Sequence, residues 1–220
     1  MKVFYLVISI VVGFSIISCK KSSSSEIEGF KSLEGYVLEI VASEPLISDP
    51  VDLEFDENGD AYVLEMPGYP FEDKHSRIVN LKDKDGDGEY DDMIVYAESL
   101  QLASSILPYN KGILVAGPPY LLFVKDTDGD GFADHRDTLM GGFSTGNLQH
   151  NYNGLTYGLD NWIYAANGGN SGNPYWWGDS SSVIDLRGDD MRIDLEKRII
   201  ERIGYSSGGY ELAIDDYGRI

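Results

Sequence analysis

The 220-residue sequence has little cysteine, histidine and positive charge, with one Cys, three His and 17 Lys and Arg. A single cysteine excludes an internal disulfide, and the lack of a Cys-x-x-Cys-His motif means that this chain cannot hold c-type haem. With 37 acidic residues the formal net charge is −20, and such a field repels nucleic acid. Helical periodicity over ten or more residues is also missing after the N-terminal run, which disfavours a helical fold.

The N-terminus has the form of a lipoprotein signal. Lys2 precedes an apolar run from Val3 to Ile17, which is about as long as a secretory h-region and short for a membrane span. The run ends in Ile-Ile-Ser-Cys, which resembles a lipobox. We therefore expect a signal peptide over residues 1–18, lipidation of Cys19, and anchoring in the bacterial cell envelope as a periplasmic or outer-membrane lipoprotein. The alternative is an uncleaved N-terminal anchor with an incidental cysteine.

The remaining sequence divides into a tether and a folded part. Residues 19–35 are rich in Ser, Lys and Glu and predict a flexible tether, and the domain is expected over 36–220. Short apolar runs there, bounded by Gly, Asn, Asp and Pro, indicate strands and tight turns. A strand–turn–strand unit recurs about every 50 residues, a period typical of β-propeller blades. Its predicted turn residues are Gly59, Gly112, Asn161 and Gly218.

The predicted fold class is therefore all-β, a β-propeller with six or seven blades when complete. About three and a half blades are expected in this chain. Because the sequence stops in mid-strand, the expectation is an N-terminal fragment. A complete small β-domain is the alternative.

Two Asp-rich segments, DKDGDGEYD at 83–91 and DTDGDGFAD at 126–134, both fit D-x-D-x-D-G-x-x-D. Alternate carboxylates converge on one centre, the sixth-place glycine permits a sharp turn, and such hard oxygen ligands suit Ca²⁺. The closing Glu of an EF-hand is missing, since Ile94 and Asp137 stand at the twelfth positions. An acidic solvated turn is the alternative to a structural calcium site. The predicted ligands are Asp83, Asp85, Asp87, Glu89 and Asp91, and Asp126, Asp128, Asp130, Phe132 and Asp134, with Glu89 and Phe132 offering backbone carbonyls.

The order of four motifs resembles the N-terminal propeller of the membrane-bound dehydrogenase family (PVC-type haem-binding proteins). The motifs are VASEPLISDPVDLEFDENGDAYVLEMPGYP, KDKDGDGEYD, VKDTDGDGFAD and GFSTGNLQHNYNGLTYGLDNWIYAANG, and they span nearly all of 36–220. That propeller is similar to the quinoprotein glucose/sorbosone dehydrogenases, which bind pyrroloquinoline quinone (PQQ) and Ca²⁺. The resemblance implies oxidation of a sugar or alcohol substrate, with electrons passed to a c-type cytochrome in a C-terminal part or a separate protein.

The resemblance also implies site residues. In the quinoproteins a motif H-x-x-G-x-L/I, followed by G-x-D-x-x-(I/L)-Y, carries the catalytic base, and the matching stretch here begins at His150. A neutral imidazole titrates in the range needed to remove a hydroxyl proton. Asn167 stands where those enzymes place an acidic residue that orients the histidine. Arg187 and Arg192 are the nearby candidates for holding PQQ, although Arg192 also reads as the start of a strand.

Other interpretations of these residues stay open. His150 is alternatively a structural loop residue that bonds neighbouring backbone. Tyr175, Trp176 and Trp177 either stack on a sugar ring or pack between blades. For the whole chain, the alternatives are a non-catalytic, Ca²⁺-stabilised propeller that binds glycans or proteins at the cell surface, and a scaffold for an electron-transfer domain.

Overall fold

The computed structural model describes Ile27, 29–71, 75–205 and 210–220. The chain divides into two compact units, Met1–Ile40 and Val41–Ile220, and all the strands belong to the second. The predicted signal peptide, the lipidation site Cys19 and residues 20–26 and 28 of the tether lie outside the described residues. Within the described part of the chain, no helix is long and apolar enough to cross a bilayer.

The strands form three antiparallel sheets. The first sheet has the order β1 (Pro50–Phe55), β2 (Ala61–Glu65), β3 (Ser76–Lys82) and β4 (Asp92–Leu100). The second has β5 (Ser105–Tyr109), β6 (Gly112–Gly117), β7 (Tyr120–Lys125), β8 (His135–Gly141) and, outermost, β11 (Tyr175–Trp176). The third has β9 (Asn153–Tyr157), β10 (Ile163–Ala166), β12 (Asp189–Asp194) and β13 (Ile199–Tyr205). Two 3₁₀ turns cover Leu148–His150 and Ser180–Ser182.

The first strands of the three sheets, β1, β5 and β9, lie side by side. The Asp52 carboxylate on β1 accepts a hydrogen bond from the Ile106 backbone N–H on β5 at 2.8 Å. The Ser105 hydroxyl on β5 accepts one from the Leu155 N–H on β9 at 3.0 Å. Successive up-and-down sheets whose innermost strands meet in this way are blades of a propeller. The predicted all-β propeller fold is confirmed, and the sheets are called blades 1, 2 and 3 below.

The turns between the two inner strands of each blade follow the predicted period, with one difference. Gly59 and Asn161 have positive φ values of 85° and 65°, as tight turns require. In blade 2, however, Asn110 and Lys111 take the left-handed conformation, and Gly112 is the first residue of β6. Gly112 is needed for another reason, because a Cβ there would lie 2.6 Å from the Val124 carbonyl oxygen.

Apolar side chains fill the two interfaces between the blades. Leu64 and Ile78 of blade 1 pack with Ile106, Val115 and Val124 of blade 2, all essentially unexposed. A second cluster joins blades 2 and 3. Burying each such side chain stabilises the fold by about 1.5–3 kcal/mol, so blade-to-blade packing is the main cohesive contribution.

The alternation of strand direction gives the propeller two distinct ends. The mouth end is the end at which β1, β5 and β9 begin, and the connections after β2 and β6 lie there too. The loop end is the opposite end, where the turns after β1, β5 and β9 lie. Both Asp-rich segments connect the third and fourth strands of a blade, so they lie at the loop end.

Candidate functional site

The first Asp-rich loop, 83–91, is organised by its first carboxylate. Asp83 accepts hydrogen bonds from the backbone N–H groups of Gly86 at 2.6 Å and Gly88 at 3.0 Å. These bonds stabilise the ionised form and lower the pKa of Asp83. Both glycines have positive φ, 76° and 95°, which lets the chain curl around the carboxylate.

The second loop, 126–134, repeats this geometry. Asp126 accepts from the N–H groups of Gly129 at 2.6 Å, Gly131 at 2.8 Å and Asp128 at 3.1 Å. Asp134, the ninth residue, accepts from the backbone N–H and the hydroxyl of Thr127 at 2.7 and 2.6 Å. Hydrogen bonds from Gly129 and from Thr127 lower the pKa of Asp126 and Asp134, respectively, so both carboxylates carry charge at neutral pH.

The carboxylates of each loop converge in sets of three. One oxygen atom from each member of a set lies within 4.8 Å of the others, close enough for a single Ca²⁺ with bonds of about 2.3–2.6 Å to contact all three. The sets are Asp83, Asp85 and Asp91, and Asp126, Asp128 and Asp130. Asp87 and Asp130 also accept hydrogen bonds from the N–H groups of the seventh residues, Glu89 at 2.9 Å and Phe132 at 2.8 Å. The residues present therefore fit a hard divalent cation.

Each Asp-rich loop also rests on a neighbouring part of the chain. The Ala133 N–H donates to the Tyr96 carbonyl of β4 at 2.7 Å, and the Asp126 N–H donates to the Tyr96 hydroxyl at 3.3 Å. The second loop thus joins blade 2 to blade 1. At the equivalent place in the first loop, the Tyr90 N–H donates to the Val41 carbonyl at 2.8 Å.

His150 lies at the mouth end, in the 3₁₀ turn directly before β9. Its Nδ1 is hydrogen-bonded to the Gly168 carbonyl oxygen. A carbonyl only accepts, so Nδ1 carries the proton of the neutral ring and Nε2 has a free lone pair. Gly168 must be glycine here, since its φ is 57° and a Cβ would lie 2.8 Å from the His150 carbonyl oxygen.

Asn167 acts on the loop rather than on the imidazole. Its side chain donates to the Asn170 carbonyl at 2.5 Å, and its backbone N–H donates to Asp190 at 2.8 Å. Asn170 in turn donates to the His150 carbonyl at 2.7 Å. The group that orients the ring is therefore the Gly168 carbonyl, which sequence reasoning missed. The sequence signal for this contact is the run Asn-Gly-Gly-Asn at 167–170. It predicts a tight turn at the place where the resemblance implies an acidic residue.

The structure does not bring Arg192 together with His150. On β12, its guanidinium bonds Glu201 at 2.7 Å and Asp160 at 3.3 Å, and it lies 4.3 Å from the Trp162 ring centroid. Asp160 belongs to the turn after β9, so this cluster lies toward the loop end. Arg187 is exposed, pairs with Asp185 at 3.2 Å, and precedes Gly188, which lies against Gly169 in the loop that holds His150.

A pocket of about 530 Å³ opens at the mouth end, between the segments that precede the inner strands. His150 does not line it, although both its neighbours do. Among the described lining residues only Asp49 is charged, and the side-chain Oδ1 of Asn151 is buried without a hydrogen-bond partner in the same part of the chain. The lining residues are Asp49, Pro50, Val51, Met66, Gly68, Tyr69, Ser104, Leu148, Gln149, Asn151 and Tyr210.

Three carboxylates interact near the inner strands. Burial, helped by the negative charges of Asp52 and Glu211, raises the pKa of Glu54 to about 7. Burial likewise raises the pKa of Asp52 and of Glu211. The region around the inner strands is therefore acidic.

The aromatic triplet divides between core and surface. Trp176 is buried between blades 2 and 3, as the packing interpretation requires. Tyr175 and Trp177 point to the other side of β11, with nearly parallel rings 6.3 Å apart and Trp177 about half exposed.

Fold and geometry together define a class of protein, a β-propeller with paired acidic loops at one end and a pocket at the other. The chain belongs to the family described as Domain of unknown function (DUF7133), whose model matches residues 22–220. No curated protein matches it. Among solved structures, it is similar to a catalytically inactive variant of virginiamycin B lyase from Staphylococcus aureus with quinupristin, at 16% identity and a TM-score of 0.36. That match covers 71% of this chain and 55% of the lyase chain, so this chain spans about half the length of that relative.

Proposed function

We propose that this chain is part of a lipid-anchored, calcium-stabilised propeller of the bacterial cell envelope. In it, His150 serves as a general base in the oxidation of a sugar or an alcohol. The observation that supports this role is the hydrogen bond between His150 Nδ1 and the Gly168 carbonyl, which leaves Nε2 as a proton acceptor at the mouth end. Electrons would pass to a c-type cytochrome.

In this proposal calcium stabilises the fold and takes no part in catalysis. Each Asp-rich loop would hold one Ca²⁺ through its three converging carboxylates and the carbonyl of Glu89 or Phe132. Both loops lie at the loop end, so the ions would stiffen the blades without touching a substrate at the mouth. A bound cation also offsets the mutual repulsion of three carboxylates within 4.8 Å.

The base step follows from the local geometry. Nε2 accepts the proton of a substrate hydroxyl, while the Gly168 carbonyl keeps Nδ1–H in place and fixes the ring plane. Asn170, bonded to the His150 carbonyl, holds the turn. No carboxylate contacts the ring among the described residues, so the imidazolium that forms is stabilised by a dipole and not by a charge.

The described residues at the mouth do not fit PQQ, which would accept the hydride when bound. PQQ is an anionic quinone, whereas the described residues of the pocket include Asp49 and no cation, and the negative charges of Asp52 and Glu211 act on its lining residue Tyr210. Arg192 is already paired with Glu201 and Asp160. No step through PQQ is therefore derived, and its binding by the whole protein stays a proposal.

Reconstitution tests the catalytic proposal. The protein that the complete gene encodes is loaded with Ca²⁺ and PQQ and assayed with a dye acceptor on a panel of sugars and alcohols. Turnover is expected in wild type and a loss of 10²-fold or more in His150→Ala, the usual contribution of a general base. His135→Ala, which changes an exposed histidine at the loop end, is the matched control and should leave turnover unchanged. No turnover in wild type, or full turnover in His150→Ala, rejects the role.

A second candidate is a non-catalytic propeller that binds glycans at the cell surface. It is favoured by the pocket itself, where amides, a hydroxyl and phenol rings surround Met66 and Val51. Such groups suit the hydroxyls and apolar faces of a saccharide. A glycan array should then show binding without turnover, lost in Gln149→Ala and retained in His150→Ala.

A further inference from the structure

The pocket at the mouth end contains a buried acceptor that the protein does not use. Asn151 lines this pocket and is only 4% exposed. Its backbone carbonyl accepts a hydrogen bond from the Asn153 side chain at 2.8 Å, but its side-chain Oδ1 has no partner among the described residues. A buried acceptor without a donor is unfavourable, so its presence in a pocket-lining residue indicates that a ligand supplies the donor.

Two hydroxyl groups of the pocket have already committed their protons. The Tyr210 hydroxyl donates to the Ser104 carbonyl at 3.3 Å, and the Ser104 hydroxyl donates to the Tyr152 carbonyl at 2.7 Å. Each hydroxyl has one proton, so both groups are available to a ligand as acceptors only. The ionised carboxylate of Asp49 is also an acceptor. These groups therefore favour a ligand that is rich in donors.

The backbone of Asp49 is held in an uncommon conformation at the edge of this pocket. Its φ is 46°, which is unusual for a residue other than glycine. On one side the Ser48 N–H donates to the fully buried Glu65 carboxylate at 2.7 Å, and on the other the Met66 N–H donates to the Asp49 carbonyl at 3.0 Å. Strained residues that are held in this way cluster at ligand sites. The Asp49 carboxylate accepts from the Ser48 hydroxyl at 3.2 Å, and no described lysine or arginine pairs with it.

The surroundings of the pocket favour a positive ligand as well. Burial, helped by the negative charges of Asp52 and Glu211, raises the pKa of Tyr210 to about 12, so this phenol is neutral and lies in a negative field. Tyr69 lines the same pocket, and phenol rings attract cations that lie over their faces. The apolar part of the lining suits a carbon skeleton, and it consists of Pro50, Val51, Met66 and Leu148.

We propose that this pocket binds a saccharide that carries a free, protonated amino group. The ammonium group pairs with the Asp49 carboxylate, and another donor of the same ligand meets Asn151 Oδ1. A neutral saccharide leaves the charge of Asp49 without a partner. The volume of about 530 Å³ lies within the range of small-molecule sites. The saccharide part of this inference rests on the glycan-binding candidate, and none of it rests on catalysis by His150.

Calorimetric titration with three matched sugars tests the proposal. Glucosamine, glucose and N-acetylglucosamine share one ring and differ at a single substituent, and only glucosamine is a cation. The protein that the complete gene encodes is used at saturating Ca²⁺, so that the Asp-rich loops do not attract the amine, and at about pH 6, where an amino group is protonated. Glucosamine is expected to bind at least about tenfold more tightly than the other two sugars.

Two variants assign this preference to the pocket. Asp49→Asn removes the charge, and asparagine tolerates the left-handed backbone, so the preference should fall below about twofold. Asn151→Leu replaces the unpaired amide by an apolar group of similar size. It should weaken glucosamine binding about fivefold or more and should unfold at the same urea concentration as wild type or higher. Glu57→Gln removes an exposed carboxylate at the loop end, and this matched control should bind as wild type does.

The other outcomes overturn the proposal in distinguishable ways. Equal binding of the three sugars leaves a glycan site without selection for the amine, whereas no binding of any sugar rejects the glycan candidate too. A preference that survives in Asp49→Asn, or that is lost in Glu57→Gln as well, belongs to the general negative field. Unchanged glucosamine affinity in Asn151→Leu, or unfolding of this variant at lower urea, shows that Oδ1 does not await a ligand. Turnover by His150 is measured in a separate assay, so its failure leaves these results unaffected.

Discussion

At the residue scale, the histidine of the candidate site depends on a glycine. His150 stood out in the sequence, whereas its ring partner Gly168 did not, because a backbone carbonyl offers no side-chain signal. The fit between the two is close, with both the carbonyl oxygen and Cα of His150 within 3 Å of where a Gly168 Cβ would be. The site is therefore sensitive to an added side chain at Gly168 but not at Gly169, where nothing lies within 4 Å of the added Cβ.

Gly168→Ala is expected to destabilise the protein and to disturb His150. The substitution adds left-handed backbone strain of about 1–2 kcal/mol and a clash with backbone that cannot rotate away. The total loss in unfolding free energy should reach about 2–4 kcal/mol, measured by urea denaturation at fixed Ca²⁺. The His150 ring resonances should shift in the NMR spectrum.

Gly169→Ala is the matched control for this prediction. Its φ is 80°, so the backbone strain is similar, but nothing lies within 4 Å of the added Cβ. It should lose only about 1–2 kcal/mol and leave the His150 resonances in place. Equal effects of the two substitutions would show that the contact with His150 is unimportant.

At the element scale, each Asp-rich loop is held in its turn conformation by hydrogen bonds within the loop. In each, the first aspartate accepts hydrogen bonds from the backbone N–H groups of the glycines at the fourth and sixth positions, so its side chain holds the loop closed. The remaining carboxylates are left facing one another. This arrangement predicts cation uptake without a large change in loop conformation.

Asp85→Ala and Asp128→Ala should each remove one calcium site. Calorimetric titration after chelation should show two sites in wild type, one in each variant and none in the double variant. A bound ion should stabilise the fold by about 2.7 kcal/mol per site at a free Ca²⁺ of 100 times the Kd. Asp137→Ala changes the twelfth position of the second loop and should keep both sites. Unchanged stoichiometry in Asp128→Ala would refute the ligand assignment.

Sequence reasoning recovered elements better than contacts. The strands with strong alternation and a clear turn can be predicted, and so can the strand at Arg192, although β12 begins three residues earlier, at Asp189. The two-residue β11 is too short for its pattern to predict a strand. In blade 2 the turn lies at Asn110 and Lys111 and not at the predicted Gly112, because these two residues adopt positive φ although neither is glycine. The role expected of Arg192 in holding a cofactor depended on side-chain direction, which its neighbours Glu201 and Asp160 decide from other strands.

At the scale of the whole molecule, the arrangement of the blades brings together carboxylates that are far apart in sequence. Asp52 and Glu54 lie on the inner strand of blade 1, and Glu211 lies beyond blade 3, where its N–H donates to Asn153 of β9. The packing of the three blades thus concentrates negative charge around the inner strands. Part of the stability of the protein should therefore depend on the protonation of Glu54.

This dependence has a definite sign. The pKa of Glu54 is raised from 4.5 to about 7 in the folded chain. Between these values the folded state holds a proton that the unfolded state has released, so stability is fullest below pH 4.5 and falls as pH rises to 7. Because Glu54 is only half-buried, solvent screening limits the loss to about 1–3 kcal/mol. Glu54→Gln should flatten this part of the profile and stabilise the protein at pH 8.

Urea denaturation from pH 4.5 to 8, at saturating Ca²⁺ so that the loops stay occupied, measures the effect. Glu57→Gln removes an exposed carboxylate from the same hairpin and should leave the slope of the profile unchanged. If wild type and Glu54→Gln have parallel profiles, Glu54 is not held in its protonated form at neutral pH. Any dependence of the unfolding free energy on pH that remains in Glu54→Gln would be due to Asp52 and Glu211, because burial raises their pKa values as well.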